Sequence, residues 1–126
     1  MNRRPRVLIA DDYPDMLKAV RRLLDPECEI VGSVADGGVL LEEAQRLQPE
    51  VIVLDLSLPT VSGLDACREL SQNHPAIKVI VFSASGDPEV EYQARAAGAA
   101  AFVSKLSSLD LTAAIKRLCA DPATPA

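Results

Sequence analysis

Four apolar residues, Val51-Ile-Val-Leu54, run without alternation into a single carboxylate, Asp55, and then into Leu56-Ser57-Leu58-Pro59. A short Val/Ile-rich run with no polar face predicts a strand buried on both sides, as in parallel sheets covered by helices. The same order recurs near the start of the chain, where Val7-Leu-Ile-Ala10 ends in Asp11-Asp12. Cys28 to Val34, Lys78 to Phe82 and Ala100 to Val103 supply three further strands. Between the strands the apolar residues change to helical spacing. After Pro14, which suits a first helical turn, Met16, Leu17, Val20, Leu23 and Leu24 share one face, and Asp25-Pro26 closes that helix. Asp36-Gly37-Gly38 opens a second helix with Leu40, Ala44 and Leu47 on one side, and Pro49 ends it. A loop over Thr60 to Gly63 leads into a third, marked by Leu64, Cys67 and Leu70, that stops near Asn73-His74-Pro75. Asp87 as cap and Pro88 at the first position start a fourth, with Val90, Ala94 and Ala97 inward and Gly98 as its stop. Ser107-x-x-Asp110 looks like a capping box for a fifth, which carries Leu111, Ile115 and Leu118. Five strands alternating with five helices predict an α/β, doubly wound parallel sheet with right-handed crossovers.

Length agrees with one domain, expected over residues 1–120, followed by a Pro/Ala-rich tail or linker stump over residues 121–126. The three cysteines have no metal-type spacing and each falls in an apolar run, which fits small core residues of a reduced, cytoplasmic protein. The first residues hold too few apolar positions for a signal-peptide core or a membrane span. A net charge of −5 and a pI near 4.8 leave no basic footprint for nucleic acid.

Ligands of open α/β sheets sit beyond the carboxyl ends of the strands. Four of the five strands end there in a reactive group: Asp11-Asp12, Asp55, Ser83 and Lys105. Taken singly, each has an ordinary reading. Asp55 fits a turn cap, Ser83 a turn former, Lys105 a solvated lysine, and His74, the single histidine, a solvated loop residue. Neighbouring strand ends lie about 4.8 Å apart, so the groups converge if the first and third strands are adjacent. Three carboxylates that close repel one another, and either one protonates or a hard divalent cation such as Mg²⁺ holds them. A lysine and a hydroxyl beside them are what a phosphoryl group would meet.

Arg6 to about Leu118 resembles the receiver domains of two-component response regulators, on Asp11-Asp12, Asp55, Ser83-Ala84 and Lys105, with Asp36-Gly37, Leu58-Pro59, Gly63 and Ala97-Gly98-Ala99 at the turn positions. Asp11-Asp12-Tyr13-Pro14, Glu29-Ile-Val-Gly32 and Ser104-Lys105 look most like the NarL/FixJ-type branch, whose members usually carry a helix-turn-helix DNA-binding domain after the receiver. The resemblance implies a flavodoxin-like (βα)5 fold with strand order 2-1-3-4-5. It implies that Asp55 accepts a phosphoryl group from a histidine kinase or phosphotransfer protein in a phosphorelay that controls transcription. Asp12, Asp55 and the Ser57 carbonyl would ligate Mg²⁺, with Asp11 acting directly or through water. Ser83 and Lys105 would bind phosphoryl oxygens, and Phe102 would be the switch aromatic that turns inward with the Ser83 hydroxyl, although a strand-five aromatic also fits plain core packing. A weak homodimer on phosphorylation is expected.

The family often has Pro after the lysine in a cis bond, whereas Leu106 stands here; a cis non-Pro bond costs about 3 kcal/mol, so a trans bond is expected. Tyr13 and Ser85 are expected at the site entrance, and Ala96, Ala97 and Ala99 to Ala101 on a face that packs on a second copy or an output domain. The alternatives are a receiver fold kept as a phosphorylation-independent docking module, and a small aspartate-nucleophile phosphatase. The latter usually wants an acid two residues after the nucleophile, where this chain has Ser57.

Overall fold

The computed structural model describes residues 4–119. Its strands are β1 (Arg6–Ala10), β2 (Glu29–Val34), β3 (Val51–Leu54), β4 (Lys78–Ser83) and β5 (Ala101–Ser104), all parallel, in the order β2-β1-β3-β4-β5. The helices are α1 (Pro14–Leu24), α2 (Gly37–Leu47), α3 (Gly63–Asn73), α4 (Pro88–Ala96) and α5 (Leu109–Cys119). The doubly wound α/β fold read from the chain and the strand order implied by the resemblance are thus the observed ones. The expected tail, residues 121–126, lies outside the described residues.

Apart from Arg6, Lys78 and Ser83 at their ends, the central strands are apolar because both of their faces are covered. Leu8, Ala10, Ile52, Leu54, Val79 and Val81 point to one side, where Leu40 and Ala44 of α2, Ala66, Cys67 and Leu70 of α3 and Ala94 of α4 meet them. The alternate residues Val7, Ile9, Val51, Val53, Ile80 and Phe82 pack with Val20 and Leu24 of α1 and Leu111, Ala114 and Ile115 of α5. This period-two division of a continuous apolar run yields two cores, one on each face of the sheet.

Caps set the helix starts. Asp36 accepts hydrogen bonds from the Gly38 and Val39 N–H groups, Ser62 from Asp65 and Asp87 from Glu89, each satisfying donors that a helix leaves open. At the far end of α2 the Arg6 guanidinium donates to the Leu47 and Gln48 carbonyls, both at 2.8 Å. The expected Ser107 capping box does not form. Lys105–Ser107 is instead a 3-10 turn, in which the Ser104 hydroxyl accepts from the Leu106 N–H, and α5 begins one residue after Ser108. Ser107 is drawn into that turn because the chain leaving β5 is already capped by Ser104. No peptide bond among the described residues is cis, and Lys105-Leu106 is trans as expected.

The alanines at α4 and β5 are mostly not a surface. Ala97 and Ala101 are buried and Ala99 is half-buried, so only Ala96 and Ala100 of that group are exposed. Their smallness lets α4 and its return lie close on the sheet. Gly98, with φ +107°, turns the chain there, and a Cβ on it would stand 2.2 Å from the Ser71 hydroxyl of α3. Gly98→Ala therefore carries both a backbone penalty and a clash and is expected to cost roughly 2 kcal/mol or more, lowering the melting temperature by about 6 °C or more in calorimetry.

Cys28 and Cys67 are core residues as expected, whereas Cys119 is half-buried. Burial pushes both core thiols up to about 11. At pH 8 they stay protonated and sealed, and titration of the native protein with an aromatic disulfide should modify Cys119 first and reach Cys28 and Cys67 only with denaturant.

Candidate functional site

β1 and β3 are paired with Ala10 opposite Leu54, so the residue after each strand, Asp11 and Asp55, falls at the same level of the sheet's carboxyl edge. The ladder runs one step past both: the Asp11 N–H donates to the Val34 carbonyl at 3.0 Å and the Asp55 N–H to the Ala10 carbonyl at 2.9 Å. Backbone pairing therefore fixes the two carboxylates before any side-chain interaction acts. Both are buried, at 2% and 9% exposure.

Lys105 directly follows β5, which lies two strands from β3 in the sheet order, so its side chain must reach back over the end of β4. Its Nζ lies 3.1 Å from Asp11 Oδ2 and 3.4 Å from Asp55 Oδ2, and 5.9 Å from the centre of the Phe82 ring. One ammonium thus bridges two buried acids above an aromatic face. The other carboxylate oxygens accept backbone donors: Tyr13 N–H to Asp11 Oδ1 at 2.9 Å and Ser57 N–H to Asp55 Oδ1 at 3.1 Å. Burial raises the Asp11 pKa above its ordinary value of 3.8, against the opposing pull of the Tyr13 N–H and Lys105.

Asp12 is exposed, yet one oxygen each of Asp11, Asp12 and Asp55 fall within 4.8 Å of one another. Three carboxylates, two of them buried with a single ammonium between them, form an oxygen-only donor set of the hard type that fits Mg²⁺. Ser57 is exposed and its carbonyl belongs to the segment that follows Asp55. Ser83, buried at the end of β4, accepts from the Ser85 N–H at 3.1 Å. Phe102 is half-buried against the core under α2, α3 and α4, on the opposite face from Phe82. A hydrogen bond to Asp11 and an ion pair with Asp55 thus tie Lys105 and the two acids into one cluster with the exposed Asp12 beside it, while Ser83 and Phe102 stand on the neighbouring strands.

Phe82 was legible in the sequence only as a core residue. Its place beneath Lys105 follows from lying one position before Ser83 on the opposite face of β4, a signal that needs the strand order to be read.

An acid triad and a bridging lysine at the carboxyl edge of a five-stranded, doubly wound sheet define a receiver-type signalling module. Residues 7–116 match the response regulator receiver domain family, and the chain belongs to it. It is 32% identical over 107 residues to the transcriptional regulatory protein DegU of Brevibacillus brevis, covering 83% of this chain and 45% of that protein. It is likewise 32% identical over 101 residues to the chemotaxis protein CheY of Thermotoga maritima, covering 79% of this chain and 84% of the relative. Among solved structures, the signal receiver domain of a NarL response regulator from Mycobacterium tuberculosis superposes with a TM-score of 0.87 at 28% identity, over 92% of this chain and 96% of that one. These likenesses set the chain with the NarL-like branch. It spans half or less of the length of several curated relatives. None of the described helices is long and apolar enough to cross a membrane.

The raised Asp11 pKa gives a test of the electrostatics. Between 3.8 and that higher pKa the native state holds a proton the unfolded chain has lost, so stability falls as pH rises through the window. In metal-free buffer, Asp11→Asn is therefore expected to melt several degrees above the native protein at pH 7, and the gain should shrink as pH falls and vanish below 3.8, where Asp11 becomes neutral in both states.

Proposed function

We propose that the chain is a phosphorylation-switched signalling module in which Asp55 takes a phosphoryl group from the phosphohistidine of a histidine kinase or phosphotransfer protein. The observation that carries this reading is Lys105 Nζ held at 3.1 and 3.4 Å between Asp11 and Asp55. A bond forms between an Asp55 carboxylate oxygen and phosphorus while the phosphorus–nitrogen bond of the donor breaks. The electron pair leaves with the imidazole, which takes a proton from water. Such a transfer needs little covalent help from the protein, and positioning with charge neutralisation supplies nearly all the catalysis.

Each residue has a part in that scheme. Asp55 is the nucleophile, oriented by the Ser57 N–H and Lys105. Lys105 meets a phosphoryl oxygen in place of the carboxylates it now bridges. Ser83, whose hydroxyl hydrogen is free to rotate because the oxygen already accepts from Ser85, donates to a second phosphoryl oxygen. Asp11, Asp12, Asp55 and the Ser57 carbonyl would hold Mg²⁺, which when bound neutralises charge on the acids and on the incoming phosphoryl group. The half-buried Phe102, adjacent in the chain to the strand end that carries Lys105, turns inward as Ser83 moves, and the α4–β5 surface changes with it.

We further propose that a partner reads this surface, either a second copy forming a weak dimer or a DNA-binding output domain. The DegU relative is named a transcriptional regulatory protein, and with a net charge of −5 this chain would leave DNA contact to such a domain. A cytoplasmic location follows from the same role.

Intact mass after incubation with acetyl phosphate and Mg²⁺ tests the reading. A single phosphoryl adduct is expected, absent in Asp55→Asn and absent when the metal is chelated. An adduct that survives in Asp55→Asn would overturn the assignment.

A further inference from the structure

Thr60 has φ +73°, a left-handed value that a β-branched residue rarely adopts. The Val61 N–H donates to the Pro59 carbonyl at 2.9 Å, so Thr60 is the centre of a γ-turn of the strained form. Strain of this kind persists only where the surroundings impose it. Here the start of α2 imposes it at two points. The Thr60 hydroxyl donates to Asp36 Oδ2 at 2.5 Å, and the Gly37 N–H donates to the same Pro59 carbonyl at 3.1 Å. Gly37 is required for that approach, because a Cβ there would stand 2.1 Å from the Val61 carbonyl oxygen. Asp36 is fully used: Oδ1 accepts from Gly38 and Val39, Oδ2 from Thr60. The Thr60 hydroxyl also holds the Asp36 carboxyl below the usual carboxylate range.

The turn lies in the segment that follows Asp55. At its other end the Gly63 N–H donates to the Leu56 carbonyl at 3.2 Å, closing residues 56–63 into a loop. We infer that Asp36 and Thr60 are positioning residues for the phosphoacceptor site: the N-terminus of α2 clamps the strained turn, and the clamp sets where the Ser57 backbone and the Asp55 side chain lie. Neither residue touches the reacting atoms. This inference rests on the assignment of Asp55 and Ser57 above, and adds a dependence of that site on the start of α2, which follows the edge strand β2.

Three variants separate the clamp from mere stability. Thr60→Val removes the hydroxyl and keeps the branched shape, Thr60→Ser keeps the hydroxyl, and Thr60→Gly removes it while relieving the backbone. Amide exchange of Gly37, Val61 and Gly63, and Mg²⁺ titration followed by amide chemical shifts, are measured on each alongside the acetyl phosphate reaction. Thr60→Val is expected to exchange about 10-fold faster at these amides and to bind Mg²⁺ several-fold more weakly, as for loss of a charge-assisted hydrogen bond. Its maximal phosphorylation rate should fall about 10-fold with little change in the acetyl phosphate concentration for half-maximal rate. Thr60→Ser should restore all three, and Thr60→Gly should behave like Thr60→Val. Native exchange and native Mg²⁺ affinity in Thr60→Val would overturn the clamp, as would failure of Thr60→Ser to restore them. If the native protein took no phosphoryl group, the proposed function would fall, and the exchange and metal measurements would still decide the clamp.

Discussion

The ammonium of Lys105 between Asp11 and Asp55 is the interaction on which the rest of this structure turns. Two carboxylates at 2% and 9% exposure on adjacent strands would repel strongly, and the backbone ladder gives them no freedom to part. The single cation between them makes the arrangement tolerable without removing its cost. Removing that one cation is expected to cost about 3–5 kcal/mol, because it strands two buried carboxylates. A site held in this way is stable when occupied by a cation and ready to exchange partners, since any phosphoryl group that enters offers Lys105 another anion.

The fold serves that arrangement by making the charges unavoidable. Register puts Asp11 and Asp55 level, and the crossovers put β5 beyond β4, so Lys105 has to cross the end of β4 to reach them. What it crosses is Phe82, whose ring supplies an apolar bed for the stem and a favourable face for the charge. The two cores contribute differently. The α1–α5 side carries Phe82 and so supports the lysine, while the α2–α4 side carries Phe102.

Much of this could be read from the chain because its strongest signals are local. An apolar run buried on both faces needs no knowledge of its neighbours, and Asp36, Asp87 and Pro88 mark helix starts by satisfying donors within a few residues. The convergence of Asp11, Asp55 and Lys105 was legible once strand ends were taken as one edge. What escaped depends on pairs distant in sequence. The hydroxyl of Thr60 meeting Asp36, 24 residues away, leaves no periodic trace, and a threonine gives no hint that its φ is positive. The alanines of α4 and β5 misled for a related reason: small residues suit both an open contact face and a tightly packed interior. Only the approach of α4 to the sheet decides for the interior at Ala97 and Ala101. Ser107 failed as a cap because Ser104 had captured the chain first, a competition between two local signals that spacing alone does not rank.

The acid cluster and the strained turn together describe a site that is costly in its resting form. Burial opposes the charge on Asp11, the pairing of strands opposes the separation of Asp11 from Asp55, and the γ-turn at Thr60 opposes relaxation of the loop that follows. In each case the opposing force lies outside the site, in the sheet ladder or at the start of α2. A phosphoryl group on Asp55 would add charge where three acids already outnumber one lysine, and the rigid ladder could not absorb it. In the proposed switch the parts left to adjust are the side chains on the neighbouring strand ends, Ser83 and Phe102. A charge added at a place that cannot yield must be accommodated at places that can, and under the proposed function that accommodation reaches the surface of α4 and β5.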